Sequence, residues 1–193
     1  MRHLFIVGLF LASLLSTQAQ DTFSKISLSG FRVNLIPSEI FSIQLEDSLG
    51  IEQEIEDGIL EIRVLDQRGR VPKGSITIYT NKLDYLSLHN CQLVMDAPLE
   101  NDSLTLITGS SFGALKIKSN YLSVNIAAGS RFEIEGTTKY YDCAVGAGSA
   151  LKSSNLLADK AAINAMGYSN VVLNAKEIIR SEVKNANVKN IYE

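Results

Sequence analysis

A short phrase recurs through the C-terminal part of the chain: a small residue, any residue, then a large apolar one. It reads Cys91-Gln92-Leu93, Ser110-Ser111-Phe112, Ser130-Arg131-Phe132, Ser149-Ala150-Leu151, Ser169-Asn170-Val171 and Ala186-Asn187-Val188. The apolar members stand at 93, 112, 132, 151, 171 and 188, so the steps are 19, 20, 19, 20 and 17 residues. Alternating apolar segments precede each phrase, as in Leu104-Thr105-Leu106 and Leu122-Ser123-Val124-Asn125-Ile126. A second short segment follows, as in Phe132-Glu133-Ile134 and Val171-Val172-Leu173. A period near 20 built from such short strands is the mark of a solenoid, because one coil cannot bury its own apolar residues and stacked coils can. The expected fold is all-β, a parallel β-helix with coils of 19–20 residues.

The small residues fit that picture. Gly109, Gly129, Gly148 and Gly167 lie one or two residues before four of the phrases, where coils must turn. Alanine and serine let the walls of a narrow coil approach. Residues 21–83 alternate in the same way at Ile26-x-Leu28, Phe31-x-Val33-x-Leu35 and Phe41-x-Ile43-x-Leu45. Asp57-Gly58 between two apolar segments signals a hairpin. Asp66 to Gly74 reads as an exposed loop. These N-terminal strands are expected to form a cap or the first coils, and the charged stretch from Lys184 to Glu193 to cap the far end. Residues 48–57 and 156–167 alone could be mistaken for helix, and the second is read as strand because it aligns with strands in the neighbouring repeats.

Met1-Arg2-His3, the apolar run Leu4 to Leu15 and the small residues up to Ala19 have the layout of a signal peptide over 1–19. That leaves 20–193 as one β-helix domain, with strands over 21–83 and repeats over 84–193. No cysteine precedes residue 21, so a lipoprotein anchor is not expected, and the product should be exported, to the periplasm or the cell surface. The run is shorter than the ~20 residues of a membrane span, and no later segment is apolar enough for one. The formal net charge is -3 with scattered charges, which lacks the basic stripe that nucleic-acid binding requires. In an oxidising compartment Cys91 and Cys143 invite a disulfide. Three coils at ~4.8 Å would hold them ~14 Å apart, beyond the ~7 Å that a disulfide spans, so both are expected free and buried.

Chemistry-bearing patterns are sparse. After residue 19 the one histidine is His89, so a multi-histidine metal site is not expected. There is no Gly-x-Ser-x-Gly elbow and no phosphate-binding loop. Asp96, Asp102, Asp142 and Asp159 are the carboxylates that a carbohydrate-active β-helix enzyme would use, with Asp142 and Asp159 near one edge. Nine residues beyond the apolar members stand Asp102, Tyr121, Tyr141, Lys160 and Arg180, with Tyr140 beside them. Stacked, these make a polar, aromatic ridge suited to a glycan or a cell-surface protein.

The opening Phe23-Ser24-Lys25-Ile26-Ser27-Leu28-Ser29-Gly30, the hairpin Asp57-Gly58-Ile59-Leu60-Glu61-Ile62, the strand Ile76-Thr77-Ile78 and the pairs Gly109-Ser110, Gly129-Ser130 and Gly148-Ser149 follow one another in a familiar order. In that order the chain resembles the bacterial secreted domain family of auto-transporter adhesins with a head GIN domain. The resemblance implies a right-handed parallel β-helix, common in Bacteroidetes-type exported proteins, and no assigned catalytic residues. The expected function is a non-catalytic, adhesin-like binding module of the cell envelope that needs no cofactor. A carbohydrate-active enzyme and a structural protein assembling through its solenoid ends stand as alternatives.

Overall fold

The computed structural model describes residues 23–45, 50–65 and 72–192. The expected signal peptide and most of the expected loop after Asp66 lie outside the described residues. Every regular element among the described residues is a strand: β1 Lys25–Ser29, β2 Phe31–Ile36, β3 Ser42–Leu45, β4 Ile51–Glu56, β5 Ile59–Val64, β6 Gly74–Tyr79 and β7 Tyr85–His89. They continue as β8 Gln92–Val94, β9 Leu99–Gly109, β10 Phe112–Ala127, β11 Arg131–Val145, β12 Ala150–Met166, β13 Asn170–Lys184 and β14 Asn187–Asn190. Of the two segments with helix-like patterns, Ile51–Glu56 of the first form β4, and the second runs into the end of β12 at Met166. The strands wind into a β-solenoid of about six turns. Its walls are parallel ladders, from β9 through β10, β11, β12 and β13.

The N-terminal strands do not stack in chain order. β1 lies between β5 and β7, and β2 lies between β6 and β8. The coil made by β5 and β6 is therefore outermost, although β1 and β2 precede it in the chain. Two antiparallel pairings close that end: β3 lies on β6, and β4 lies on β5 as the Asp57-Gly58 hairpin. The other end is less covered than its sequence suggests. β14 pairs only with Asn170–Leu173 of β13. Asn190 extends the cover to Ala175, its side chain accepting from the Ala175 N–H at 3.0 Å and donating to the Ala175 carbonyl at 2.8 Å. From Glu177 to Lys184 β13 forms the open edge of the sheet.

One apolar column threads the coils. Leu93, Phe132, Leu151 and Val171 share it, each at most 2% exposed. Register places Gly113 between Leu93 and Phe132, so Phe112 falls outside the column and is 43% exposed. Gly113 has φ +153°, and a Cβ there would collide with the Leu93 backbone. A second column explains the small residue of the phrase. Cys91, Ser111, Ser130, Ser149 and Ser169 are all buried. Ser111 Oγ accepts from the Cys91 N–H at 3.0 Å, and Ser130 Oγ accepts from the Ser111 N–H at 3.1 Å. Buried backbone groups require partners; the short side chains of Ser111 and Ser130 reach and supply them at this tight corner, and Cys91 fills the same column with a thiol.

The same corner is turned by left-handed residues. Asn90, Ser110, Ala128, Ala147, Tyr168 and Asn185 have φ between 51° and 61°. In Ala128-Gly129 and Ala147-Gly148 both residues are left-handed, as a type I′ turn requires. The Ser130 N–H returns to the Ala127 carbonyl at 3.2 Å and the Ser149 N–H to the Gly146 carbonyl at 3.2 Å, closing these turns. Glycine is thus needed at only some of the corners, and asparagine or serine turns the others.

Cys91 and Cys143 are buried free thiols. Burial pushes the Cys91 thiol up, and burial with the nearby Asp142 carboxylate pushes Cys143 up to about 12. The native protein is therefore expected to leave both thiols unmodified by a thiol reagent at pH 8, while the unfolded chain yields two. The folded state holds these protons more tightly than the unfolded state. Their contribution to stability is complete below pH 9, the ordinary thiol value, and for Cys143 is lost as the pH rises towards 12. The loss approaches ~1.4 kcal/mol per pH unit for that thiol. Chemical denaturation across this range checks the slope, and a flat profile would contradict it.

Candidate binding surface

Each long strand bends once in mid-course. Ser119 and Thr138 sit on the inner side of that bend, hydroxyl to hydroxyl at 3.0 Å, and Thr138 Oγ1 donates to the Tyr140 carbonyl at 3.1 Å. Just past the bend the register stacks Tyr121, Tyr140, Lys160 and Glu177 on successive rungs. Tyr121 and Tyr140 are 42% and 47% exposed. The expected ridge therefore has a different member: Tyr140, not Tyr141, stands beside Tyr121. Tyr141 points inward with Cys143 and Val145 and is 2% exposed. Its hydroxyl meets Ser153 Oγ at 2.8 Å, and burial holds its pKa well above the usual tyrosine value.

Arg180 lies in the neighbouring outer column, in line with Asp142 and Ala162. The small side chain of Ala162 leaves a floor, and the larger groups around it enclose a hollow of about 340 Å³. Tyr121, Tyr140, Lys160, Ile179 and Arg180 line it, with Asp142, Ala162 and the buried Tyr141. Lys160 Nζ lies 3.7 Å from Glu177, and Arg180 lies 3.7 Å from Asp142. These pairs are solvent-exposed and weak, on the order of 0–1 kcal/mol, so an incoming polar ligand can compete for either cation. Sequence reasoning missed Asp142 and Ile179 as members of this surface.

Asp102 belongs elsewhere. It accepts from the Asn120 amide, and both line a second, open polar hollow of about 620 Å³ on the other side of the bend. Asp159 lines that second hollow and pairs with Lys176 at 2.8 Å, whereas Asp142 lines the first. The two carboxylates proposed as a hydrolytic pair thus face different hollows and different cations. Asp96 lines neither. His89 is an exposed residue at the end of β7, opposite Gly109. No group of three or more His, Cys, Asp or Glu side chains converges on a metal-sized site among the described residues, and no helix there is long and apolar enough to cross a membrane.

The family model described as "Putative auto-transporter adhesin, head GIN domain" matches residues 22–189. The chain belongs to that family. Solved structures share the fold of this head GIN domain. A putative adhesin from Bacteroides fragilis superposes with a TM-score of 0.62 at 17% identity, covering 88% of this chain and 92% of the other. A putative adhesin from Parabacteroides merdae gives 0.61 at 14% identity, covering 89% and 92%. A putative lipid binding protein from Parabacteroides distasonis gives 0.56 at 13% identity, covering 88% and 92%. Among curated proteins none matches. At such identities the likeness concerns the fold, and a shared fold does not carry a shared ligand.

Proposed function

We propose that this head GIN domain is an exported, non-catalytic binding module of the cell envelope, and that it takes a glycan at the corner built by Tyr121 and Tyr140. The observation that supports this is the pair of exposed tyrosines on adjacent rungs, beside a hollow rimmed by Lys160, Arg180 and Asp142. Rungs lie ~4.8 Å apart, so the two rings offer a continuous apolar platform with phenolic hydroxyls at its edge. A sugar presents the same combination, an apolar C–H face and a rim of hydroxyls. The charged groups of the hollow supply hydrogen bonds to that rim, and a concave site with a few convergent polar groups is what small-ligand recognition uses. The membership of an adhesin family supports binding as the task.

A glycan array and a whole-cell binding assay with the purified protein test this. Tyr121→Ala together with Tyr140→Ala is expected to lower binding at least tenfold while the circular dichroism spectrum stays unchanged, because both rings are on the surface. Full binding by the double variant would overturn the corner as the site. Binding to cells that persists after enzymatic removal of their surface glycans would point to a protein ligand.

A further inference from the structure

The two ends of the solenoid differ. One is sealed by β3 and β4, and its outer strand β4 carries Glu52, Glu54 and Glu56 on its edge. At the other end β14 and Asn190 cover β13 only as far as Ala175. Beyond it, every residue from Glu177 to Lys184 is exposed, with Ile178 at 36%, Ile179 at 52% and Val183 at 44%. The backbone of this edge strand has no strand beyond it among the described residues. An open edge of this kind is a template for another strand.

The geometry points to a second copy of this chain as the occupant, joined edge to edge through antiparallel pairing of this free edge about a two-fold axis at Ser181. Opposed residues in an antiparallel ladder share a face. Ser181 and Val183 share the inner face with Ile163 and Ala165, while Arg180 and Glu182 share the outer face with Ala162 and Asn164. A two-fold pairing must therefore centre on a residue. Centred on Ser181, it sets Arg180 of each copy opposite Glu182 of the other, two attractive pairs on the regular stretch that follows the bulge at Ile179, and strand residues continue on both sides of it. Centred on Arg180 or on Glu182, it sets like charges face to face. Centred on Val183, it also sets Glu182 opposite Lys184, but it then reaches Asn185, which is left-handed and outside the strand, so the ladder stops there. Isolated charges on an edge normally discourage pairing. Here their alternating signs disfavour the registers centred on Arg180 and on Glu182, and strand length decides between the other two. Because the opposite end is sealed and acidic, the assembly closes at two copies instead of growing into a filament. The partner strand also walls the side of the tyrosine hollow formed by Ile179 and Arg180.

Sedimentation equilibrium of the purified protein tests this. The expected result is a concentration-dependent dimer that Arg180→Glu or Glu182→Arg each weakens at least tenfold, while the double reversal restores it to within about threefold. Circular dichroism confirms that the variants fold. As a second measurement, Ser181→Cys places two thiols opposite each other across the axis, within disulfide reach. Mild oxidation should yield a covalent dimer, whereas Lys184→Cys should not, and the native thiols are buried. A protein that stays monomeric throughout, a filament, or single reversals without effect would each overturn the proposal.

Discussion

Replacing Gly136 by alanine is expected to lower the unfolding midpoint by ~10 °C. Gly136 lies in β11 between Ile117 of β10 and Leu156 of β12, with φ +121°. A Cβ at this position would run into the Ile117 carbonyl oxygen and lie 2.9 Å from its carbon. Those atoms are backbone held in a ladder, so they cannot move aside without breaking hydrogen bonds. The backbone conformation costs a side-chain-bearing residue ~1–3 kcal/mol, and overpacking adds ~1–3 kcal/mol. In a chain of this size ~4 kcal/mol corresponds to a shift of ~10 °C. Gly148→Ala is the control. Its φ is +71° with nothing within 4 Å of the new Cβ, so it should cost only the ~1 kcal/mol of a left-handed residue. Thermal melts of both variants by circular dichroism give the answer. Similar midpoints for the two would mean that the rungs do not approach closely at Gly136.

That glycine illustrates what the sequence leaves hidden. Gly129 and Gly148 are visible because they recur with the repeat, and their role in turning the coil follows from glycine's freedom at φ > 0. Gly136 lies inside a strand, outside the phrase, and its role depends on a backbone contributed by the preceding rung. The threading of the N-terminal strands is hidden for a similar reason. Alternation identifies β1, β2, β5 and β6 as strands, but all four have similar apolar faces and any order of stacking would bury them. Consecutive strands are usually neighbours, yet β1 leaves that rule to sit between β5 and β7. The open edge is hidden too. Charge alone suggests that the last ten residues cap the end, whereas their four-residue strand pairs with only four of the 15 residues of the strand beneath it.

Counting residues misplaces the ridge. Offsets from the apolar residue of each phrase assume coils of equal length, and Phe112 is not the equivalent of Phe132. Taken from Gly113, Tyr121 aligns with Tyr140. β12 then carries a register shift opposite Glu133 to Glu135, and β13 is shorter after Leu173. Local alternation held the needed information throughout. Leu122, Val124 and Ile126 face inward, so Tyr121 faces out. Tyr141, Cys143 and Val145 form the equivalent inward series, which turns Tyr140 outward. Period-2 patterning constrains a face rigidly, since a slip of one residue moves every side chain to the other side. A repeat count has no such constraint wherever a strand gains or loses a residue.

This distinction has a measurable consequence at two adjacent tyrosines. Tyr141→Ala is expected to destabilise the fold by ~3–5 kcal/mol, the range for removing a buried aromatic ring. Tyr141 is the largest fully buried side chain among the described residues, and its loss also strands the Ser153 hydroxyl, itself fully buried. Tyr140→Ala should cost no more than ~0.5 kcal/mol, as surface substitutions do. Tyr141→Phe separates the two contributions. It keeps the ring and removes the hydroxyl, leaving Ser153 Oγ without its tyrosine partner, at a cost of ~1–3 kcal/mol. Denaturant titration of the three variants measures these differences directly. If Tyr140→Ala proved as costly as Tyr141→Ala, the rung register past the bend would be wrong by one residue, and the binding corner drawn from it would have to be rebuilt around Tyr141.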